Sequence, residues 1–326
     1  MNTVVKITGF GAALVASFGA AYGLGNAVGP LTSEPEPAAH SRHSGDASPD
    51  PGGGSAGTAA GGLQISEAGY TLDLKTAGVR AGERDELRFA IRDRQGRQVT
   101  AFQREHDKEL HLILASRDLA TYQHLHPSRA ADGTWSTPVT LPAAGSYRVF
   151  ADFTPGVKGA KNLTLGADLP VAGPFKAAEM PGPSRTATVD GYTVTLDGTL
   201  RPGKARRLTL NVARDGRPVT DLQPYLGAYG HLVALRSGDL AYLHVHPNGE
   251  PGDGGTRPGP GISFTATAPS SGTYRLFLDF RHNGTVRTAA FTVEVGAGEG
   301  TAPQEPPPAE TDGHAETGGG TGGHGH

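Results

Sequence analysis

A chain of 326 residues with no cysteine is neither a thiol enzyme nor a disulfide-stapled domain, and it offers no thiolate for a metal, which rules out a blue-copper centre. Its formal charge of −3, from 29 basic and 32 acidic residues without a basic cluster, lacks the electrostatic footprint of a nucleic-acid binder. Methionine occurs only at Met1 and Met180, which leaves no thioether set for Cu(I).

Residues 1–30 carry Lys6 and then no charge from Ile7 to Ser33. A run of this length forms a hydrophobic helix able to cross the ~30 Å hydrocarbon core. As a retained anchor, Lys6 keeps the N-terminus cytoplasmic and the rest of the chain outside. As a cleaved signal, it has a short basic start, an apolar centre and small residues near Gly25-Asn26-Ala27. Both readings export the remainder of the chain: either a single-pass membrane protein with extracytoplasmic domains, or a secreted one. Residues 31–62, mostly Pro, Gly, Ser, Ala and acidic residues, are expected to form a disordered tether.

Beyond the tether lie two copies of one unit, at 63–172 and 187–296, joined by a Pro-containing linker at 173–186. Gly69-Tyr70-Thr71 recurs as Gly191-Tyr192-Thr193, and GSYRVFADF (145–153) as GTYRLFLDF (272–280). Each unit has the usual size of a domain with its own core. Short runs rich in Val, Leu, Thr, Tyr and Phe, separated by Gly, Pro, Asp and Ser, read as strands. Asp215-Gly216 is a strong hairpin signal, with Gln95-Gly96 at the equivalent place in the first unit. About seven short strands per unit predict an all-β chain of two tandem β-sandwiches, immunoglobulin-like or cupredoxin-like. Residues 297–326, with His314, His324 and His326 spaced by glycine, are expected to be a disordered tail.

Within the repeat, HLILASRDLATYQHLHP (111–127) matches HLVALRSGDLAYLHVHP (231–247). Each copy holds three histidines at the same offsets: His111, His124 and His126, then His231, His244 and His246. Read as a hairpin with a two-residue loop at Ser237-Gly238, the second copy sets His231 opposite His244, with His246 on the same face. The first copy does the same with Arg117-Asp118 as its turn. Three preplaced imidazoles suit a divalent metal, copper(II) first by affinity and zinc second. Asp152 and Asp279, in the repeated GxYRxFxDF segment, are candidate carboxylate ligands, and His282 is a further candidate in the second unit. The alternative is that the histidines only pack and hydrogen-bond within the strands. His106, between Glu105 and Asp107, reads as a solvated turn residue.

No nucleophile elbow, P-loop, HExxH motif or GxGxxG after a strand is present, so the chain reads as non-catalytic. The strings GHLVALRSGDLAYLHVHP and GTYRLFLDFRHNGTVRTAAFTV, with the uncharged N-terminus and Gly/Pro-rich tether, resemble uncharacterised exported or membrane-anchored actinobacterial proteins. The sandwich plan is also similar to YtkA-like and CopC-like domains associated with metal or copper handling outside the cytoplasm. That resemblance implies metal buffering, sensing or delivery through His231, His244 and His246, by analogy with the fold. The competing expectation is a cell-surface sandwich module for protein contacts, its protein partner unknown.

Overall fold

The computed structural model describes residues 60–296 apart from His244 and the side chain of His246. The expected N-terminal helix, all but the last residues of the expected tether, and the expected tail lie outside the described residues, with His40, His43, His314, His324 and His326. Among the described residues every regular element is a strand, and no helix is long and apolar enough to cross a membrane.

The first domain runs β1 (Ser66–Glu67), β2 (Tyr70–Leu74), β3 (Val79–Arg80), β4 (Arg84–Arg92), β5 (Phe102–Gln103) and β6 (His111–Ser116). It continues with β7 (Tyr122–Leu125), β8 (Ser128–Arg129), β9 (Thr134–Thr140), β10 (Gly145–Pro155) and β11 (Leu163–Ala172). One sheet has the order β1-β2-β4-β9-β8 and the other β3-β11-β10-β6-β7, with β5 paired to β10. The second domain runs β12 (Thr186–Val189), β13 (Tyr192–Asp197), β14 (Ala205–Arg214), β15 (Arg217–Pro218) and β16 (Gly230–Arg236). Then come β17 (Tyr242–Leu243), β18 (Val245–Pro247), β19 (Gly261–Thr267), β20 (Gly272–His282) and β21 (Thr285–Val295). Its sheets are β12-β13-β14-β19-β18 and β17-β16-β20-β21, so the two domains repeat one topology.

Period-2 patterning builds each core. In β13, YTVTLD alternates buried and exposed without exception, so Tyr192, Val194 and Leu196 point inward. The first core gathers Phe89, Trp135, Tyr147 and Leu165, and the second Tyr192, Phe264, Tyr274 and Phe291. Burying each such side chain contributes about 1.5–3 kcal/mol, and without disulfides this is the main term holding the sandwiches. Asp215 and Gly216 take φ of +50° and +74° and let Arg214 pair with Arg217, the expected two-residue hairpin. Gln95-Gly96 sits in a longer loop, because the Asp93 carboxylate accepts the Gln95 and Arg97 amides.

β6 and β16 break the alternation. HLILAS and GHLVALR are buried on both faces, since their outer faces meet each other across the domain junction. A third core forms there from residues of both domains, including Ile113, Phe150, Val233, Leu235, Tyr242 and Phe277. The contacts are reciprocal. Tyr122 stacks on Phe277 at 4.2 Å and donates to Asp279, while Tyr242 packs on Phe150 and donates to Asp152. Both sandwiches fall within one compact unit of the chain, from Ser55 onward.

The chain on either side is strapped to this junction. In the linker, the Ala178 amide donates to Asp118 and the Ser184 amide to the Thr292 carbonyl, and Met180 packs against the shared core. At the other end, Gly62 donates to Thr164 and Tyr242 donates to the Gly61 carbonyl. Gly62 takes φ of +73° with Phe150 2.4 Å from where a Cβ would sit, so only glycine fits.

The expected two-residue loops in the histidine hairpins are not formed. Beyond the ladder pairs Ala115 to Tyr122 and Leu235 to Tyr242, the Ser116 amide donates to the Thr121 carbonyl and the Arg236 amide to the Ala241 carbonyl, which leaves four-residue loops at 117–120 and 237–240. The physical reason is that the loop aspartates fold back: Asp118 accepts the Ala120 amide and Asp239 the Ala241 amide. The register therefore shifts by two, so Ile113 rather than His111 pairs with His124. A shift of two preserves the face of every side chain. In the second copy the chain leaves this sheet after Leu243, and the His246 backbone pairs with Thr265 in the opposite sheet.

Candidate metal centre

His111 opens β6 and His124 lies near the end of β7, with His126 two residues further on. Their ligand nitrogens lie within 4.8 Å of one another. The ring centroids are 5.3 Å apart for His111 and His124, 5.2 Å for His111 and His126, and 4.7 Å for His124 and His126. The first repeat thus brings its three histidines together. For the second, His231 is described and buried, whereas His244 and the His246 side chain lie outside the described residues.

Hydrogen bonds assign the tautomers. A turn at Glu105–Lys108, with His106 and Asp107 at φ of +48° and +63°, aims the Glu105 carbonyl at His111. That oxygen lies 3.1 Å from His111 Nε2 and can only accept, so Nε2 carries the proton and Nδ1 a lone pair. His124 Nδ1 lies 3.0 Å from Asp279 Oδ2 and donates to that carboxylate, which leaves its Nε2 bare. The two bare nitrogens, His111 Nδ1 and His124 Nε2, face each other at 3.1 Å. Lone pairs at that distance repel unless a cation lies between them.

A proton on His124 or a metal ion can supply that cation, and His126 separates the two. Its Nε2 is buried with no hydrogen-bond partner among the described residues. A proton shared by His111 and His124 leaves His126 Nε2 without a partner among the described residues, whereas a metal ion can take a nitrogen from each of the three rings. Burial, reinforced by the neighbouring His124, lowers the His111 pKa to about 4. Burial followed by the repulsion of His124 and His111 lowers His126 to about 2. His111 and His126 are therefore held as neutral imidazoles, the form that ligates.

The candidate carboxylates stand behind the histidines. Asp279 accepts from His124, Tyr122 and Thr288, while Asp152 accepts from Asn162 and Tyr242. Burial raises Tyr122 and Tyr242 well above the usual phenol value, and the adjacent carboxylates add to the shift, so both remain donors. His282 has both nitrogens engaged, Nδ1 with Tyr192 and Nε2 with Asp221, and offers none to a metal.

Two residues join the cluster from places the sequence does not reveal. His106, expected to be solvated, is half-buried with its ring 6.3 Å from His111 and 5.4 Å from His231. His231 crosses from the second domain to lie 5.8 Å from His124 and 6.1 Å from His111. The only sequence signal was the unbroken apolar run of β6 and β16, which implies a second buried face but not its partner. A cavity of about 50 Å³ lies between these rings, lined by His106, His111, His124, His231, Glu105 and Asp152.

Fold and site together define a tandem β-sandwich protein with a partly buried histidine cluster at its domain junction. The chain belongs to the family described as Domain of unknown function (DUF8832), which matches it twice, at residues 65–164 and 187–297. No curated protein matches the sequence. Among solved structures it is similar to FdeC, an Escherichia coli adhesin, at 19% identity over 71% of this chain and 65% of that one, with a TM-score of 0.22. It is similar to the Yersinia pseudotuberculosis adhesin InvE at 12% identity over 71% and 60%, with a TM-score of 0.21. Domains 5-6 of the S-layer protein SbsC match at 14% identity over 69% and 96%, also at 0.21. The chain spans less than two thirds of each of the two adhesin structures.

Proposed function

We propose that this chain is a non-catalytic, extracytoplasmic pair of β-sandwiches whose junction holds a divalent metal ion through His111, His124 and His126. The observation that carries this reading is the convergence of three imidazoles, with His126 Nε2 buried and without a hydrogen-bond partner among the described residues. Asp279 behind His124 and the Glu105 carbonyl behind His111 are the orienting partners that metal-bound imidazoles use. Placement outside the cytoplasm rests on the uncharged N-terminal run. Buffering, sensing or delivery of the metal is what the CopC-like resemblance implies for such a site.

Spacing favours zinc over copper(II), reversing the order expected from affinity alone. With metal–nitrogen bonds of 2.0–2.1 Å, an imidazole centroid sits about 3.2 Å from the metal, so tetrahedral ligands have centroids about 5.2 Å apart. The observed 4.7–5.3 Å fits that arrangement. Square-planar copper(II) would set one pair trans, at about 6.4 Å by the same estimate.

The test is zinc and copper(II) titration of the full chain with His314, His324 and His326 replaced by alanine, to remove the tail background. Tight zinc uptake that is lost in His111→Ala and His126→Ala is the expected result. The second reading, a surface interaction module with packing histidines, draws on the hydrogen bonds already made by His111 and His124. It is upheld instead if the folded chain takes up neither metal.

A further inference from the structure

The repeat leads one to expect two metal sites, one per hairpin. The structure instead carries His231 of the second domain to the edge of the first domain's triad. We infer that His231 is the fourth ligand of that site, so that one ion is shared between the two sandwiches. This deepens the metal reading above and rests on it.

His231 sits on its strand as His111 sits on β6. The Tyr225–Ala228 turn, with Leu226 and Gly227 at φ of +52° and +72°, repeats the Glu105–Lys108 turn and aims the Tyr225 carbonyl at the ring. That oxygen lies 2.8 Å from His231 Nε2, so Nε2 donates and Nδ1 keeps the lone pair. The residue is 7% exposed and lines the same cavity as His111 and His124. Its centroid distances of 5.8 Å and 6.1 Å exceed the tetrahedral value of about 5.2 Å by less than 1 Å. Burial, followed by the repulsion of His124, keeps the imidazole neutral by lowering its pKa to about 3.

A second contact points the same way. On the ladder between β16 and β20, His231 pairs directly with Asp279, the carboxylate that orients His124. One cross-strand pair of the second domain therefore supplies both a ligand and the support for another. Three ligands from one domain and the fourth from the other make a closed, four-nitrogen site of the structural zinc type. Such an ion acts as a clasp across the junction.

The experiment uses the full chain with its three tail histidines replaced, compared with His231→Ala and His231→Gln in that background. Gln keeps a donor for the Tyr225 carbonyl, so it separates loss of a ligand from loss of folding. Zinc affinity is read by competition with a chromophoric chelator, stoichiometry by metal analysis, and geometry by the visible spectrum of the cobalt(II) form. Both variants should bind at least on the order of 100-fold more weakly, above the 10–100-fold range typical of losing a second-shell partner. The strong tetrahedral cobalt bands should weaken. Unchanged affinity in His231→Gln overturns the inference and leaves the triad site standing. So does binding of two ions with the loss of only one in His231→Ala, which marks independent sites in each repeat. Zinc-free wild type would remove the metal reading and this inference together.

Discussion

At the residue scale, His126 is the most exacting position in the junction. Without metal it holds a desolvated nitrogen with no hydrogen-bond partner among the described residues, which costs about 1–3 kcal/mol. His126→Leu should therefore raise the urea midpoint of the metal-free protein, and zinc should stabilise the wild type but not this variant. Acid provides a second test. His111 and His231 titrate near pH 6.5 in the unfolded chain but at about 4 and 3 in the folded one. Their neutral forms contribute stability that is fully present above pH 6.5. It is lost as pH falls from 6.5 toward 4, because only the unfolded chain gains protons there. Urea denaturation of metal-free protein at pH 7.5, 6 and 4.5 should show a falling midpoint, and a flat profile would contradict the assigned burial. The chemical type of these residues was legible in the sequence. Their tautomers were not, because the carbonyls of Glu105 and Tyr225 are placed by turns that only backbone geometry reveals.

At the scale of single elements, the hairpins show what a repeat pattern does and does not convey. Strand identity and side-chain face were readable from alternation and from the shared histidine offsets. The register was off by two because Asp118 and Asp239 bond their own loops, an alternative that a turn-residue rule cannot rank. The error left the face intact, and so the convergence of His111, His124 and His126 was reached despite it. Tyr122 and Tyr242 are the hairpin residues that bind one domain to the other. Tyr122→Phe and Tyr242→Phe each leave a buried carboxylate short of a donor, and each should cost about 1–3 kcal/mol in denaturant unfolding. Tyr122→Phe should also weaken zinc binding, since Asp279 holds His124. Tyr242→Phe should spare it more.

For the whole molecule, the all-β fold and its duplication were plain from strand-length apolar runs and recurring strings. The junction was hidden, because no local pattern says that the outer faces of β6 and β16 meet each other. That shared core predicts cooperative behaviour: calorimetry of the wild type should show one transition for both sandwiches. Phe277→Asp, which puts a charge against Tyr122, should split it into two. The reciprocity of Tyr122 with Asp279 and Tyr242 with Asp152 carries one more consequence. Self-complementary contacts of this kind are the mark of a two-fold homodimer, here with its halves fused in one polypeptide. Fusion frees the halves to diverge while remaining mated. They have done so at the tip of one turn, where the first copy has His106 and the second Leu226.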